Sequence, residues 1–539
     1  MARKFFVDGI QVMIHITYGP VFSNFDFSQV PHLEPWVYGL LTTVDPEDQT
    51  FEFFYDPYSR SYPTGLTDYL CRWFNHFKIP MELHGWPAGE VYEPDAEIFN
   101  HGSEAIILRE DQVQAVAKAL SYPRGVLWMG TGAGKTEVAL YLMLRLNRKA
   151  LFIVSTAQSM NDTTKRFQRR IDAAFEGGKI EKKPVVGRIG EGVKDFEADI
   201  VVALVESLYR GIRAKAKQVM DFLGSVKVLI YDEVHHQATA ATWKEVGLAC
   251  PADHRYGLSA TPFDNPHDPN KLHPQDSQIV AMTGDVLVYV PEIYLISKGA
   301  LTRPIIRFFP GGGKVDGRID SWNEVYEKGV VDNVRRNARF ATITANAVKC
   351  GGRVLLSVQR LRHGIEFLRL LQYFNILGIC SYGGDKTYIP NCPELVQHAP
   401  WVTGESKEYP GFVYVATSRF PMMDLYEAGI CPVIVGNIIY DESKDIPILT
   451  DFVNAGAGRK HRRVQQKIGR SLRRHTFKRV AKIWDANDTC HNFLQAQTVA
   501  RGEHAESLGY EVVWYDRLMC EHLMTFDWLR WTVQKGENE

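Results

Sequence analysis

The chain has no excess of charge of either sign: 62 Lys and Arg stand against 63 Asp and Glu, a formal net charge of −1 over 539 residues. A global basic field is therefore missing, although a nucleic-acid groove needs only a local one. Cysteine is scarce and scattered. The eight are Cys71, Cys250, Cys350, Cys380, Cys392, Cys431, Cys490 and Cys520, and no two form a C-x-x-C pair. That excludes cysteine-based zinc spacing and predicts free thiols in a reducing compartment. No apolar run is long enough to span a bilayer. Met1-Ala2-Arg3-Lys4-Phe5-Phe6-Val7 begins like an export signal, but Asp8, Gly9 and Gln11 break it, so a cytoplasmic location is expected. No segment is low-complexity and no repeat is evident letter by letter.

What is present is a composition suited to large buried cores, 45% hydrophobic and 23% charged. The length allows about three or four domains. Residues 1–100 are rich in aromatics. There Val37–Thr43 and Phe51–Tyr55 are expected as strands about a turn at Asp45–Asp48, and Thr67–Phe77 as a helix with Trp73, Phe74 and Phe77 on a packing face. This predicts a small N-terminal α+β accessory domain, with Gly85–Gly89 as a linker. From residue 101 short apolar strands alternate with helices: Gly125–Met129, Ala150–Ser155, Ile200–Leu204, Val226–Tyr231 and Tyr256–Ser259. Pro262–Gln275 and Pro310–Gly313 are expected as breaks. A second series follows at Arg353–Ser357, Ile376–Ser381, Gly411–Ala416, Val433–Gly436 and Ala481–Asp485. The expected class is α/β, with two doubly wound parallel-sheet lobes at 101–300 and 301–488 and an extension at 489–539.

The strongest local signal is Met129-Gly130-Thr131-Gly132-Ala133-Gly134-Lys135-Thr136, between a strand and a helix. Backbone N–H groups of such a loop cradle phosphates beside a helix N-terminus. Lys135 would reach the β- and γ-phosphates and Thr136 would hold Mg²⁺, which makes ATP and Mg²⁺ the expected cofactors. Met129 stands where the general G-x-x-x-x-G-K-[ST] pattern has glycine; Gly130, Gly132 and Gly134 still supply a pliant backbone. Downstream, the apolar strand Val228–Tyr231 ends in Asp232-Glu233-Val234-His235. Asp232 would hold Mg²⁺ and Glu233 would polarise the attacking water. A strand ending in Asp-Glu is a weak signal alone; a phosphate loop upstream gives it meaning.

With these two signals, Ser259-Ala260-Thr261 and Gln466-Lys467-Ile468-Gly469-Arg470-Ser471-Leu472-Arg473 complete an ordered set over about residues 105–485. The set resembles the superfamily 2 DExH-type helicases, whose two lobes are RecA-like. Ser259, Ala260 and Thr261 look like motif III, which couples the ATP site to nucleic acid. Gln466, Arg470 and Arg473 resemble motif VI, with Gln466 near the attacking water. The resemblance makes the two arginines fingers to the γ-phosphate from a second lobe, and their spacing puts them on one helix face. The alternative for that stretch is a solvated basic helix. Leu108-Arg109-Glu110-Asp111-Gln112 resembles the start of the UvsW, RecG and XPB groups, where the glutamine reads adenine; Gln112 takes that role here. Ser155, Thr156 and Gln158 fit motif Ia, Ser207 motif Ib, Ser357 and Gln359 motif IV, and Thr417 the start of motif V, as backbone-phosphate contacts. Each also has a plain loop or helix-cap reading. Met423-Asp424 replaces the usual Gly-x-Asp ending.

Arg255-Tyr256-Gly257-Leu258-Ser259-Ala260-Thr261-Pro262, the N-terminal segment and a tail from His491 to Val512 look most like phage UvsW-type helicases and their XPB and restriction-enzyme relatives. The resemblance implies an ATP-dependent helicase or translocase that moves on DNA, single-stranded, forked or branched, in repair or recombination. An RNA helicase, a duplex translocase serving a nuclease, and a nucleic-acid-binding module with a dead ATP site are the alternatives.

Overall fold

The computed structural model describes residues 6–7, 10–11, 14–44, 51–87, 89, 91–238, 240–263, 270–271, 273–312, 321–382, 386–402, 404–417, 420–436, 446–458, 461–476 and 478–516. The chain divides into two compact units, Met1–Pro291 and Glu292–Glu539.

The first unit opens on a four-stranded sheet. Its strands are β1 (Ile14–Thr17), β2 (Phe22–Asp26), β3 (Ser61–Pro63) and β4 (Met81–His84), in the order β3-β2-β1-β4. The helix Thr67–His76 covers one face with buried Tyr69, Leu70 and Phe74. Val37–Leu40, expected as strand, belongs to a helix at Glu34–Leu40; a short strand follows at Thr42–Val44. The β-branched and aromatic letters suggest a strand, but Glu34-Pro35 start a helix well. Leu33, Val37 and Leu41 then bury one line at intervals of four. The turn expected at Asp45–Asp48 lies outside the described residues.

The larger sheet of this unit has strands β5 (Arg124–Met129), β6 (Ala150–Val154), β7 (Val186–Gly190), β8 (Val193–Lys194), β9 (Ile200–Leu204), β10 (Val228–Asp232), β11 (His254–Ser259) and β12 (Val286–Val290). Their order is β8-β7-β9-β6-β10-β11-β5-β12, and every pair except β7–β8 is parallel. β6, β9 and β10 are almost wholly buried, as strands covered by helices on both faces must be. The connection from β5 to β6 passes over β11 and β10. The C-terminal ends of β5, β11 and β10 thus form the crevice where an open α/β sheet binds ligands.

Residues 14–84 are not detachable from this sheet. Ile14, Phe25, Tyr62 and Phe74 share one hydrophobic cluster with Val126, Leu229, Tyr231 and Ile279. Buried Arg124, first residue of β5, donates to the Pro20 carbonyl at 2.9 Å and the Tyr18 hydroxyl at 3.3 Å. A Cβ on Gly65 would come within 2.0 Å of the Val280 carbonyl oxygen, so only glycine allows that approach.

The second unit carries a nine-stranded sheet. Its strands are β13 (Arg303–Pro310), β14 (Val354–Ser357), β15 (Gly378–Tyr382), β16 (Lys386–Pro390), β17 (Phe412–Ala416), β18 (Val433–Gly436), β19 (Asp451–Asn454), β20 (Val480–Asn487) and β21 (Glu511–Trp514). The order is β17-β16-β15-β18-β14-β19-β20-β13-β21, parallel except where β16 meets its neighbours. Residues 489–516 are no appendage: the helix Asn492–Ser507 packs on β20, and β21 extends the sheet beside β13. Both units are therefore α/β with doubly wound, mainly parallel sheets.

Candidate nucleotide site

Gly130–Gly134 link β5 to the helix Lys135–Leu146. Gly132 (φ 83°) and Gly134 (φ 78°) are left-handed, which glycine alone adopts without strain. Gly134 has a second reason: a Cβ there would lie 2.0 Å from Gln112 Nε2. Gln112 is buried and braces this loop. Its Nε2 donates to the Ala133 carbonyl at 3.0 Å, and its Oε1 accepts the Arg109 N–H at 2.9 Å. Arg109 donates to the same carbonyl at 2.6 Å and is held by Asp111 at 2.9 Å. The amide keeps a second N–H and a second lone pair, so bracing and adenine reading are compatible. Lys135 Nζ bonds the Met129 carbonyl at 3.3 Å across the loop, at the helix end where Gly130, Thr131, Ala133 and Thr136 also sit.

Register places the acidic residues beside this loop. Asp232 of β10 pairs with Leu258 of β11, and Ser259 with Trp128 of β5. Ser259 thus lies between the acidic strand end and the phosphate loop. Glu233 turns out of the sheet with φ 52°, unusual for a residue with a Cβ. The buried Ser259 hydroxyl donates to Glu233 Oε2 at 3.1 Å and accepts the Thr261 N–H at 3.0 Å. His235 Nδ1 lies 3.3 Å from the same Glu233 oxygen and 3.2 Å from Ser259 Oγ. Trp128 Nε1 donates to the Ala260 carbonyl at 2.9 Å, tying the Ser259–Thr261 segment to β5. Gly257 leaves room for Val234, which a Cβ would meet at 2.6 Å.

The two carboxylates differ electrostatically. Burial, then the Glu233 charge, raise Asp232 to about 7 against the pull of Lys135. Burial also pushes Glu233 up, but the His235 hydrogen bond and the Lys135 charge outweigh it and hold Glu233 below its ordinary value. A pair in which one carboxylate is destabilised by the other fits a divalent cation, whose charge relieves that repulsion.

Other expected residues are placed less uniformly. Thr156 is the N-cap of the helix Ala157–Glu176, accepting the Ser159 N–H at 3.1 Å, and Gln158 pairs with Asp162 at 2.8 Å. Ser155 is half-buried at the end of β6, and Ser207 lies in the first turn of the helix Val205–Arg213. In the second unit Ser357 ends β14. Gln359 bonds the Gly456 and Ala457 carbonyls at 2.9 and 3.2 Å. Thr417 follows β17 and meets Thr387 at 3.0 Å. β17 is the far edge strand, four strand spacings or about 19 Å from β14. The structure thus does not bring Thr417 beside Ser357. The strands that adjoin β14 are β18 and β19, whose Gly436 and Asn454 pair with Ser357. Asp424 lies on the helix Met422–Glu427. Ser418 and Arg419 lie outside the described residues.

The helix bearing Gln466 and Arg470 spans His461–Ser471, so Arg473 stands just beyond it rather than on its face. The Lys478 ammonium explains the stop: it donates to the Ser471 carbonyl at 3.0 Å, and to those of Leu449 and Pro447. Sequence reasoning missed the frame behind this helix. Buried Arg336 pairs with Asp488 at 2.8 Å and donates to the Ala455 carbonyl at 2.6 Å. Buried Arg501 pairs with Asp485 at 2.8 Å and donates to the Gly458 carbonyl at 3.0 Å; Asp485 also takes Asn454 at 2.8 Å. Both arginines grip the turn between β19 and the helix. No spacing distinguishes them in sequence from solvated arginines.

The first unit brings a glycine-rich loop, an acidic strand end and a buried serine between them into one crevice, the arrangement expected of a nucleotide site. Residues 105–264 match the family described as type III restriction enzyme, res subunit. The DNA 3'-5' translocase XPB2 of Sulfurisphaera tokodaii is 22% identical over 393 residues, 69% of this chain and 80% of that protein. The putative ATP-dependent RNA helicase QP509L of African swine fever virus is 27% identical over 224 residues, 40% of this chain and 39% of that protein. Among solved structures, UvsW of bacteriophage T4 covers 93% of this chain and 99% of its own, at 16% identity and a TM-score of 0.41. The chain is thus similar to superfamily 2 helicases of the XPB and restriction-enzyme kind, and these relatives indicate a nucleic-acid-dependent ATPase. Among the described residues no helix is long and apolar enough to cross a membrane.

Proposed function

We propose that this chain is a DNA translocase of superfamily 2 that couples ATP hydrolysis to movement on DNA and remodels forked or branched DNA in the cytoplasm. The observation that carries the motor reading is the contact of Ser259 with Glu233, beside the loop that presents Lys135. Gly130–Gly134 and Lys135 cradle the phosphates, and Gln112 adds adenine recognition. Thr136 and Asp232 hold Mg²⁺, which screens phosphate charge when bound. Glu233, kept ionised by His235 and Lys135, orients and polarises the attacking water. Arg470 and Arg473 stabilise the charge that develops on the γ-phosphate, with Gln466 beside the water. Ser259, Ala260 and Thr261 pass the state of Glu233 to the nucleic-acid contacts, among them Ser155, Thr156, Gln158, Ser207, Ser357 and Gln359. These are backbone contacts, so affinity falls steeply with salt and little with base sequence.

DNA is favoured over RNA by the XPB2 relative, a named DNA translocase that aligns with 69% of the chain. RNA is the second reading, supported by the viral relative named as a putative RNA helicase over 40% of the chain. ATPase assays with no polymer, single-stranded, duplex or forked DNA, and RNA separate them. The proposal requires the largest stimulation by DNA. Stimulation by RNA alone would overturn the DNA assignment, and none by any polymer would overturn the motor.

A further inference from the structure

The outer face of the N-terminal sheet carries a group that the ATPase does not use. β1 and β4 run parallel, with His15 opposite Glu82 and Thr17 opposite His84. Ile14 and Ile16 are fully buried, so the alternating His15 points to the other face, which Glu82 and His84 share by register. Three donor atoms converge there. His15 Nδ1 lies 2.9 Å from His84 Nε2, and Glu82 Oε2 lies 3.4 Å from the first and 3.6 Å from the second. Among the described residues this is the one group of three His, Cys, Asp or Glu side chains close enough to share a metal ion.

A hydrogen bond between the imidazoles explains the first distance but not the other two, which are long for a hydrogen bond. A shared centre accounts for the convergence of all three atoms on one point. Ligand atoms about 2.1 Å from a tetrahedral zinc ion stand about 3.4 Å apart. The triangle of 2.9, 3.4 and 3.6 Å approaches one face of such a tetrahedron, with the edge between the imidazoles about 0.5 Å short. Asp26, opposite His15 on β2, adds negative charge that favours a cation. Two imidazoles and one carboxylate oxygen suit a zinc-class transition metal and not Mg²⁺ or Ca²⁺, which want oxygen ligands.

We propose that His15, Glu82 and His84 form a binding site for a zinc-class divalent ion, with water in the fourth position. The site staples β4 to β1. β4 is the edge strand of its sheet, and Glu82, Leu83 and His84 are exposed. From His84 the chain runs on to the helix Glu110–Leu120, whose Gln112 braces the phosphate loop.

Co²⁺ titration of the nucleotide-free full-length protein, followed by visible absorption, tests this. Wild type should bind one ion with the intense bands of a four-coordinate centre, and Zn²⁺ should displace it. His15→Ala and His84→Ala should each weaken binding by at least about tenfold, and Glu82→Gln should weaken it too. ATPase measured without added transition metal should be unchanged in all three. Amide exchange at Met81–His84 should slow with metal in wild type only. Absence of Co²⁺ binding by wild type, or unchanged binding by the His15 and His84 variants, would overturn the proposal.

Discussion

Replacing Ser259 by alanine isolates the link between the acidic strand end and the rest of the site. The hydroxyl is buried, donates to Glu233 at 3.1 Å and accepts the Thr261 N–H at 3.0 Å. A hydrogen bond to a charged group contributes about 1.5–3 kcal/mol. At about 1.4 kcal/mol per factor of ten, complete loss of that orientation in the transition state slows turnover about 10- to 150-fold. Gln112, Lys135 and the loop are untouched, so nucleotide affinity should stay near wild type. Steady-state ATP hydrolysis with saturating DNA gives the first quantity, and equilibrium binding of a fluorescent nucleotide the second. Turnover within about twofold of wild type would show that the contact does not position Glu233 for chemistry. An equal fall in binding would place the effect on the phosphate loop.

Arg336→Ala should destabilise the second unit by about 3–5 kcal/mol, because Asp488 is left buried without its cation. Denaturant unfolding checks this, and a loss below about 1 kcal/mol would mean that water or another group replaces the guanidinium. His363 is buried and, mainly by desolvation and then by Arg336 and Arg362, held down to about 3. Its folded form stays neutral while the unfolded imidazole takes a proton below about 6.5. This group therefore lowers stability as pH falls from about 6.5 towards 3, by up to about 1.4 kcal/mol per unit. His363→Gln should flatten that part of the pH–stability curve; an unchanged slope would refute the assignment.

The loop and the acidic strand end proposed to meet phosphate stand out in the sequence because their chemistry is local. Gly130–Thr136 form one loop, and Asp232–His235 end one strand. The contact of Ser259 with Glu233 needed the sheet order, which sets β11 between β10 and β5 although it follows both in sequence. The distance of Thr417 from Ser357 could not be read in advance, because the place of Phe412–Ala416 at the sheet edge depends on its antiparallel pairing with β16 and on the β15–β16 hairpin. Arg473 fell off the expected helix face because Lys478, beyond the motif, takes the carbonyl that would continue the helix. Residues 1–100 could be seen as packed, but not as sharing a core with the sheet of residues 124–290, since such contacts leave no periodic trace.

In the proposed function Glu233 serves the chemistry and not the binding of ATP. Hydrolysis and nucleotide affinity of Glu233→Gln, compared with wild type in saturating DNA, test it most directly. The amide keeps the shape and the hydrogen bond from Ser259 but loses the charge that polarises water. Turnover should fall by about 10²–10⁴, with ATP and Mg²⁺ bound as tightly as in wild type. Near-wild-type turnover by Glu233→Gln would contradict the account.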